Sequence, residues 1–312
     1  MIGLIYLLFG IIVLYFSGEY LVSGSVALAK HLKVQPFVIA VTLVAFGTSA
    51  PELAISVNSA LKGFQGITLG NIVGSNIANV LFAIPLAFLI KISSDSDVHK
   101  KDNFFLFFVT LLFCFLVFRG ESFGAVYGIF SLSSLLGYIM LVIYESKVGK
   151  RKVILDHEEK IEFSIFKSLV FSLLGIVGVV LGAEILVHGA ILTAKLFEVS
   201  HVVIGLTIVA LGTSLPEVAA SMIAAYRGQV NFILGAILGS NLFNILGITG
   251  TASILTPIKS EETLTNTDLF FLIFSTLIFL GFNLFSKIIN RSLLLAILIS
   301  YVIYVLFLFL RF

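Results

Sequence analysis

Ten apolar runs follow one another along this chain, at roughly 2–28, 36–62, 67–90, 103–118, 123–145, 164–192, 201–227, 231–256, 267–286 and 291–311. A helix needs about 20 apolar residues to cross the hydrocarbon of a bilayer. Backbone polar groups there must be satisfied within the segment itself. Runs of this length and number predict an all-α integral membrane protein with ten transmembrane helices and the lipid bilayer as its surroundings. The alternating ten-residue segments of a transmembrane barrel are absent. Charged residues make up only 12% of the 312 residues, against about 25% in soluble domains, which argues against a water-soluble enzyme. A net charge of +2 without a dense basic face argues against a nucleic-acid binder. The first run has neither the basic flank nor the cleavage site of a signal peptide and is expected to stay as a membrane helix. The single cysteine, Cys114, lies inside an apolar run. It leaves no internal disulfide or cysteine metal cluster to form and is expected to be a small buried hydrophobe.

Lysine and arginine orient such a bundle. The connections after odd-numbered helices hold Lys30, Lys33, Lys91, Lys100, Lys101, Lys147, Lys150, Arg151, Lys152, Lys160, Lys167, Arg227, Lys287 and Arg291. The opposite side holds Lys62, Arg119, Lys195, Lys259 and Arg311. The richer side is expected to face the cytoplasm, which puts both termini outside, in a multi-pass cell-membrane protein. The stretch 147–163 is the main cytoplasmic loop.

The chain also repeats itself. Residues 47–81, GTSAPELAISVNSALKGFQGITLGNIVGSNIANVL, align without a gap with residues 212–246, GTSLPEVAASMIAAYRGQVNFILGAILGSNLFNIL, and 17 of the 35 positions are identical. Pro, Glu, Ser, Thr and Asn match together, which shared apolar composition would not produce. Upstream, Thr42 pairs with Thr207 and Glu19 with Glu184 at the same offset of 165. Five helices separate each copy from its partner, so the second is upside down in the bilayer. The prediction is a 5+5 inverted repeat, with residues 1–146 as the first half (motif 37–81) and 164–312 as the second (motif 202–246). In such folds the binding site lies near the midplane, where the repeats meet.

The repeated polar residues fall mid-helix. A central charge costs about 2.5–3.5 kcal/mol to insert, so such residues face a cavity or a protein interior. Glu52 and Glu217 occupy equivalent positions. Thr48 and Ser49 lie four and three residues before Glu52, and Ser75 lies four before Asn79, so each set shares a helix face. Thr213, Ser214, Glu217, Ser240 and Asn244 repeat the arrangement. Pro51 and Pro216 each remove a backbone donor, so both helices should kink or unwind and free carbonyls near 45–47 and 210–212. Every candidate ligand is an oxygen; His31, His99, His157, His188 and His201 stand outside the pattern. Oxygen-only sites suit hard cations such as Ca²⁺ and Na⁺, and Ca²⁺ takes about 6–8 oxygens. Two buried carboxylates that reorient only when neutralised would exchange one cation load for another. The glycines of GxxxG spacing, Gly66, Gly70 and Gly74, and Gly235 and Gly239, are expected to let helices approach closely. No nucleophile–base pair, phosphate loop or HExxH motif is present, so no catalytic residue is assigned and no cofactor is expected.

The paired motifs GTSAPE with GNIVGSNIAN and GTSLPE with GAILGSNLFN resemble the sodium/calcium exchanger family of the cation/Ca²⁺ antiporter superfamily. The resemblance implies that helices 2, 3, 7 and 8 enclose the ions while long, tilted helices 1 and 6 slide across them. By motif position the ligands are Thr48, Ser49, Glu52, Ser75, Asn79, Thr213, Ser214, Glu217, Ser240 and Asn244, joined by the carbonyls of Ala45 and Ala210. The implied activity is Na⁺/Ca²⁺ antiport by alternating access, with Ca²⁺/H⁺ antiport as the alternative. A Ca²⁺-permeable channel or a membrane scaffold are rivals of another class. Several relatives, the potassium-dependent exchangers among them, carry Asp where Asn244 stands, so K⁺ cotransport and a proton site there are disfavoured. Glu19 and Glu184 would lie on the sliding helices, as helix contacts or along an access path.

Overall fold

The computed structural model describes residues 2–91, 100–151, 163–196, 210–259, 264–284 and 289–310. The chain is almost entirely helical: α1 (Ile2–Leu32), α2 (Pro36–Ile39), α3 (Ala45–Thr48), α4 (Ala50–Leu61), α5 (Gln65–Ala78), α6 (Ile84–Ile90), α7 (Lys100–Phe118), α8 (Ala125–Lys147), α9 (Ile165–Leu196), α10 (Ala210–Gly212), α11 (Leu215–Tyr226), α12 (Val230–Leu242), α13 (Thr249–Leu255), α14 (Asn266–Leu284) and α15 (Arg291–Leu310). Several of these are pieces of one span. π-Helical turns join α2 to α3 (Ala40–Val44), α5 to α6 (Asn79–Ala83) and α12 to α13 (Phe243–Ile248). Among the described residues seven helices are long and apolar enough to span a membrane, eight if the bent pair Pro36–Thr48 and Ala50–Leu61 is one span, and two shorter apolar helices, Leu215–Tyr226 and Asn266–Phe282, fall within the seventh and ninth expected runs. His99, His157, His201, Lys152, Lys160, Lys287, Arg311 and the start of the seventh run lie outside the described residues.

The connections sort into two ends, as the alternation predicts. At one end β1 (Ser122–Phe123) pairs antiparallel with β2 (Ile258–Lys259), and Gln65 bonds Pro257 and Lys259. At the other His31 Nε2 meets the Phe163 carbonyl at 2.7 Å, and Arg151 grips Asp102.

The span Val230–Leu255 is 94% buried over its apolar window, whereas α1 and α15 are each 22% buried over theirs. The motif helices therefore form the centre and the plain apolar helices the periphery, where a bilayer covers them without cost. α1 and α9 run antiparallel along their full length. Their seam alternates small with large: Gly10 faces Leu186, Leu14 faces Gly182, Leu21 faces Gly175 and Leu7 faces Gly189. A Cβ on Gly175 would stand 2.4 Å from the Leu21 backbone nitrogen. Gly175→Ala must push the two backbones apart, and we expect a loss of about 1–3 kcal/mol, read as a lower unfolding midpoint in detergent.

Gly235 and Gly239 do what their spacing predicts, since a Cβ on them would meet the Phe37 and Val41 carbonyls at 2.7 and 2.6 Å. For Gly66, Gly70 and Gly74 the expectation is not tested by the described residues. No described residue approaches within 4 Å of where their Cβ atoms would stand, and the repeat-related partner segment, 202–209, lies outside the described residues.

The duplication reaches further than the motif. Tyr138 on α8 donates to Asp102 Oδ1 on α7, and Tyr304 on α15 donates to Asp268 Oδ1 on α14, both at 3.2 Å. Thr276 Oγ1 reaches its own counterpart, Thr110 Oγ1, at 3.4 Å. The offset here is 166, and the signal was present in the sequence as DNFFLFF at 102–108 and DLFFLIF at 268–274.

Candidate functional site

The expected break in the second span occurs one turn earlier than a mid-helix kink. Ser49 leaves helical geometry (φ −86°, ψ 9°), and α4 restarts at Ala50 with a 46° bend. Pro51 thus sits in the first turn of the new helix, where its missing N–H costs nothing. Glu52 lies in the same turn, at the positive end of the helix dipole. Ser214, Pro216 and Glu217 repeat this at the start of α11.

Ser49, Ser75, Asn79, Ser214, Ser240 and Asn244 are all buried, as are Thr48, Glu52 and Glu217. Thr213 is half-buried. Ser49 Oγ donates to Glu217 Oε1 at 2.9 Å and lies 2.7 Å from Ser240 Oγ. Ser240 donates to the same Oε1 at 3.1 Å, and Asn79 Nδ2 reaches Ser240 Oγ at 3.1 Å. These bonds join the two repeats across sequence separations of 161 to 191 residues. Thr48 donates to the Val44 carbonyl at 3.1 Å, which leaves its oxygen lone pairs available.

Ala45 is not simply a freed carbonyl, because it accepts the Ser49 amide at 3.1 Å. In the second half the Ser214 amide goes to Leu211 instead, also at 3.1 Å. Ala210 opens α10 one residue earlier. The π turns begin at or beside Asn79 and Asn244, and no periodicity in the sequence announces them. Such turns concentrate at functional sites.

Among the described residues, Glu52 Oε2, Ser75 Oγ, Asn79 Oδ1, Thr213 Oγ1, Ser214 Oγ, Glu217 Oε2 and both amide atoms of Asn244 are buried without a hydrogen-bond partner. A native interior leaves only a few such groups per 100 residues, so each calls for an explanation. Two further asparagines join the site. Asn79 Nδ2 donates to Asn241 Oδ1 at 3.0 Å, and Asn76, the repeat partner of Asn241, has its Oδ1 buried and unpartnered. The GSN triplets at 74–76 and 239–241 carried this signal. Asn71 bonds Ser56 Oγ at 2.9 Å and the Glu52 carbonyl at 3.2 Å. Its counterpart is Ala236, and Ser221, the counterpart of Ser56, accordingly has no partner among the described residues.

The halves differ in what they have made. Ser49 bonds Glu217, but Ser214 does not bond Glu52; Asn79 bonds Ser240 and Asn241, but Asn244 bonds neither Ser75 nor Asn76. Glu19 on α1 pairs with Arg227 beyond α11, with Arg227 Nε donating at 2.8 Å. The repeat-related Glu184 and Lys62 are exposed and make no ion pair among the described residues. α1 packs on α11, where a Cβ on Gly18 would stand 2.8 Å from Ile223 Cγ1.

The profile of the sodium/calcium exchanger protein family matches residues 2–145 and 167–312. The putative antiporter CaxA of Alkalimonas amylolytica is 32% identical over 288 residues, covering 91% of this chain and 90% of that one. The sodium/calcium exchanger MaX1 of Methanosarcina acetivorans is 31% identical over 298 residues, covering 84% and 85%. Among solved structures, the sodium-calcium exchanger NCX_Mj soaked with zero Na⁺ and Ca²⁺ superposes with a TM-score of 0.83 at 30% identity, covering 98% of each chain.

Proposed function

Since this chain belongs to the sodium/calcium exchanger family and is a multi-pass membrane cation/Ca²⁺ antiporter, we propose that it exchanges Na⁺ for Ca²⁺ by alternating access at the site between the two repeats. The observation that carries this is the set of buried oxygens around Glu52 and Glu217 that have no partner among the described residues. Hydroxyl, amide and carboxylate oxygens are the donor set of hard cations. A Ca²⁺ ion neutralises both carboxylates, and Na⁺ ions on the same oxygens do so in the exchanged state. The unneutralised pair stays put, because moving two buried charges past apolar walls is costly. Thr48, Ser49, Ser75, Asn79 and their counterparts complete the coordination, with the carbonyls of Ala45 and Ala210.

The halves are residues 1–146 and 164–312, joined by the loop 147–163. The Lys and Arg distribution favours that loop in the cytoplasm and both termini outside; an inward Na⁺ gradient then drives Ca²⁺ out. ⁴⁵Ca²⁺ uptake into Na⁺-loaded proteoliposomes, against choline-loaded vesicles and an imposed pH gradient, tests the reading. Uptake is expected only with internal Na⁺. Uptake driven by the pH gradient alone would make it a proton exchanger, and uptake indifferent to both would make it a channel.

The unequal halves support alternating access, because two copies of one structure can trade conformations. In the opposite state Lys62 takes Glu184 as Arg227 takes Glu19 here. In a Cys114→Ala background, Lys62→Cys with Glu184→Cys is expected to form a disulfide during turnover and to stop exchange until reduced. Glu19→Cys with Arg227→Cys is expected to do the same from the state described here. Failure of the first pair alone to cross-link would sink the symmetric exchange.

A further inference from the structure

The bonds around Asn79 fix which way its amide points. The Ser240 hydroxyl has one proton and gives it to Glu217 Oε1 at 3.1 Å. Toward Asn79, also 3.1 Å away, Ser240 therefore offers a lone pair, and Asn79 must present its NH₂. The second hydrogen of that NH₂ goes to Asn241 Oδ1 at 3.0 Å. Both donors are then used, and Asn79 Oδ1 remains buried without a partner among the described residues. A turned-over amide would present N–H groups where a cation needs an oxygen.

Asn241 is 1% exposed and lies outside the ligand set read from the motif. Its repeat partner, Asn76, is equally buried. Asn76 Nδ2 donates to the Ile72 carbonyl at 2.8 Å, which holds that amide and leaves its Oδ1 unpartnered. Asn244, which stands to Asn76 as Asn79 stands to Asn241, has neither amide atom bonded. A donor without an acceptor and an acceptor without a donor thus occupy repeat-related places.

We propose that Asn241 is a positioning residue that holds Asn79 with its carbonyl oxygen turned to the transported cation, and that Asn76 does the same for Asn244 when the second half adopts the geometry of the first. This inference rests on the exchange reading above. It adds two residues that touch no ion and act through their neighbours. It also gives the inverted repeat a chemical consequence, because each access state has one amide oriented and the other released.

Ca²⁺ binding to the purified full-length protein in Na⁺-free detergent, followed by calorimetry, tests the first half. Asn241→Ala removes one net hydrogen bond and is expected to weaken Ca²⁺ binding about three- to tenfold. Asn241→Asp keeps an acceptor for Asn79 and is expected to bind at least as tightly as wild type. In an Asn79→Asp background both terminal atoms are oxygens and orientation no longer matters, so adding Asn241→Ala is expected to change affinity by less than about twofold. A merely structural role would cost the same in both backgrounds, and that result overturns the proposal. For the second half, sided flux assays are expected to show Asn241→Ala raising the Ca²⁺ KM on one face of the membrane and Asn76→Ala raising it on the opposite face. Equal effects of both variants on both faces overturn the assignment of Asn76. A wild-type protein that binds no Ca²⁺ would instead bring down the exchange reading itself, whereas wild-type binding that Asn241→Ala leaves intact brings down only this inference.

Discussion

Glu52→Gln and Glu217→Gln are each expected to abolish Na⁺-dependent Ca²⁺ uptake while leaving a folded protein. Each substitution keeps the shape of the side chain and removes one of the two carboxylates at the junction of the repeats. A divalent ion there would lose half of its compensating charge. Removing one partner of a buried charge pair costs about 3–5 kcal/mol, which corresponds to roughly a hundred- to a few-thousand-fold weaker binding. The fold has no matching loss, because a neutral amide is cheaper to bury than a charged carboxylate. The two consequences separate in one experiment. Ca²⁺ is expected to raise the thermal midpoint of the wild type, by mass action worth about 2.7 kcal/mol at a hundred times Kd. Neither variant is expected to respond. A Ca²⁺-dependent shift that survives in either variant would show that the carboxylate is not a ligand.

Arg151→Ala is expected to be the most damaging change away from the site. Arg151 is 1% exposed although it lies beyond the end of α8, in the connection to α9. Its Nη1 and Nη2 donate to Asp102 Oδ2 and Oδ1, each at 2.8 Å, and Nη2 lies 3.2 Å from Glu145 Oε2. The guanidinium carbon sits 5.2 Å from the centre of the Phe37 ring, and Phe37 opens the first motif span. Lys101 completes the cluster on Glu145. Burial by itself would lower the Arg151 pKa, but the Asp102 carboxylate outweighs it and holds the value above the usual arginine range. A folded pKa raised above the unfolded one gives stability that is present at lower pH and lost only as pH rises past the arginine range. The contribution is therefore flat at neutral and mildly acidic pH. Removing the guanidinium leaves Asp102 buried with only the Tyr138 hydroxyl, and we expect a loss of about 3–5 kcal/mol. Arg151→Ala with Asp102→Asn is expected to recover part of it, since no uncompensated charge then remains. An unfolding midpoint of Arg151→Ala within a degree or so of wild type would show the contact to be incidental.

Arg151 also marks where reading the sequence stops. It was counted among the cytoplasmic charges as one more residue of a solvated loop, because a charge after an apolar run ordinarily stays in water. Nothing local says that it folds back onto Asp102, 49 residues earlier. The α1–α9 seam was legible only in part. The glycines of each helix are plain, but that Gly on one faces Leu on the other depends on antiparallel register across more than 150 residues. The stripe at Gly66, Gly70 and Gly74 has the same spacing as Gly235 and Gly239, but its repeat-related partner segment, 202–209, lies outside the described residues. The site itself was legible residue by residue, because Glu, Ser, Thr and Asn stand out against an apolar background and occur twice. Asn76 and Asn241 were just as visible in the repeat, yet only a bond to Asn79 separates a positioning residue from a bystander.

By itself, then, the sequence determined that this chain spans a membrane as helices, that it is built as two inverted copies, and which polar residues are buried at their junction. These follow from local quantities: the length of an apolar run, the number of helices between copies, and the cost of a polar group in hydrocarbon. Only the tertiary structure decided which of two symmetry-equivalent contacts is made. Ser49 bonds Glu217 while Ser214 does not bond Glu52, and Arg227 holds Glu19 while Lys62 and Glu184 make no ion pair among the described residues. Serine and glutamate that recur at the same places in both copies cannot by themselves choose between two such arrangements. The choice belongs to the packing of one half against the other, where adopting a contact on one side separates its counterpart on the other.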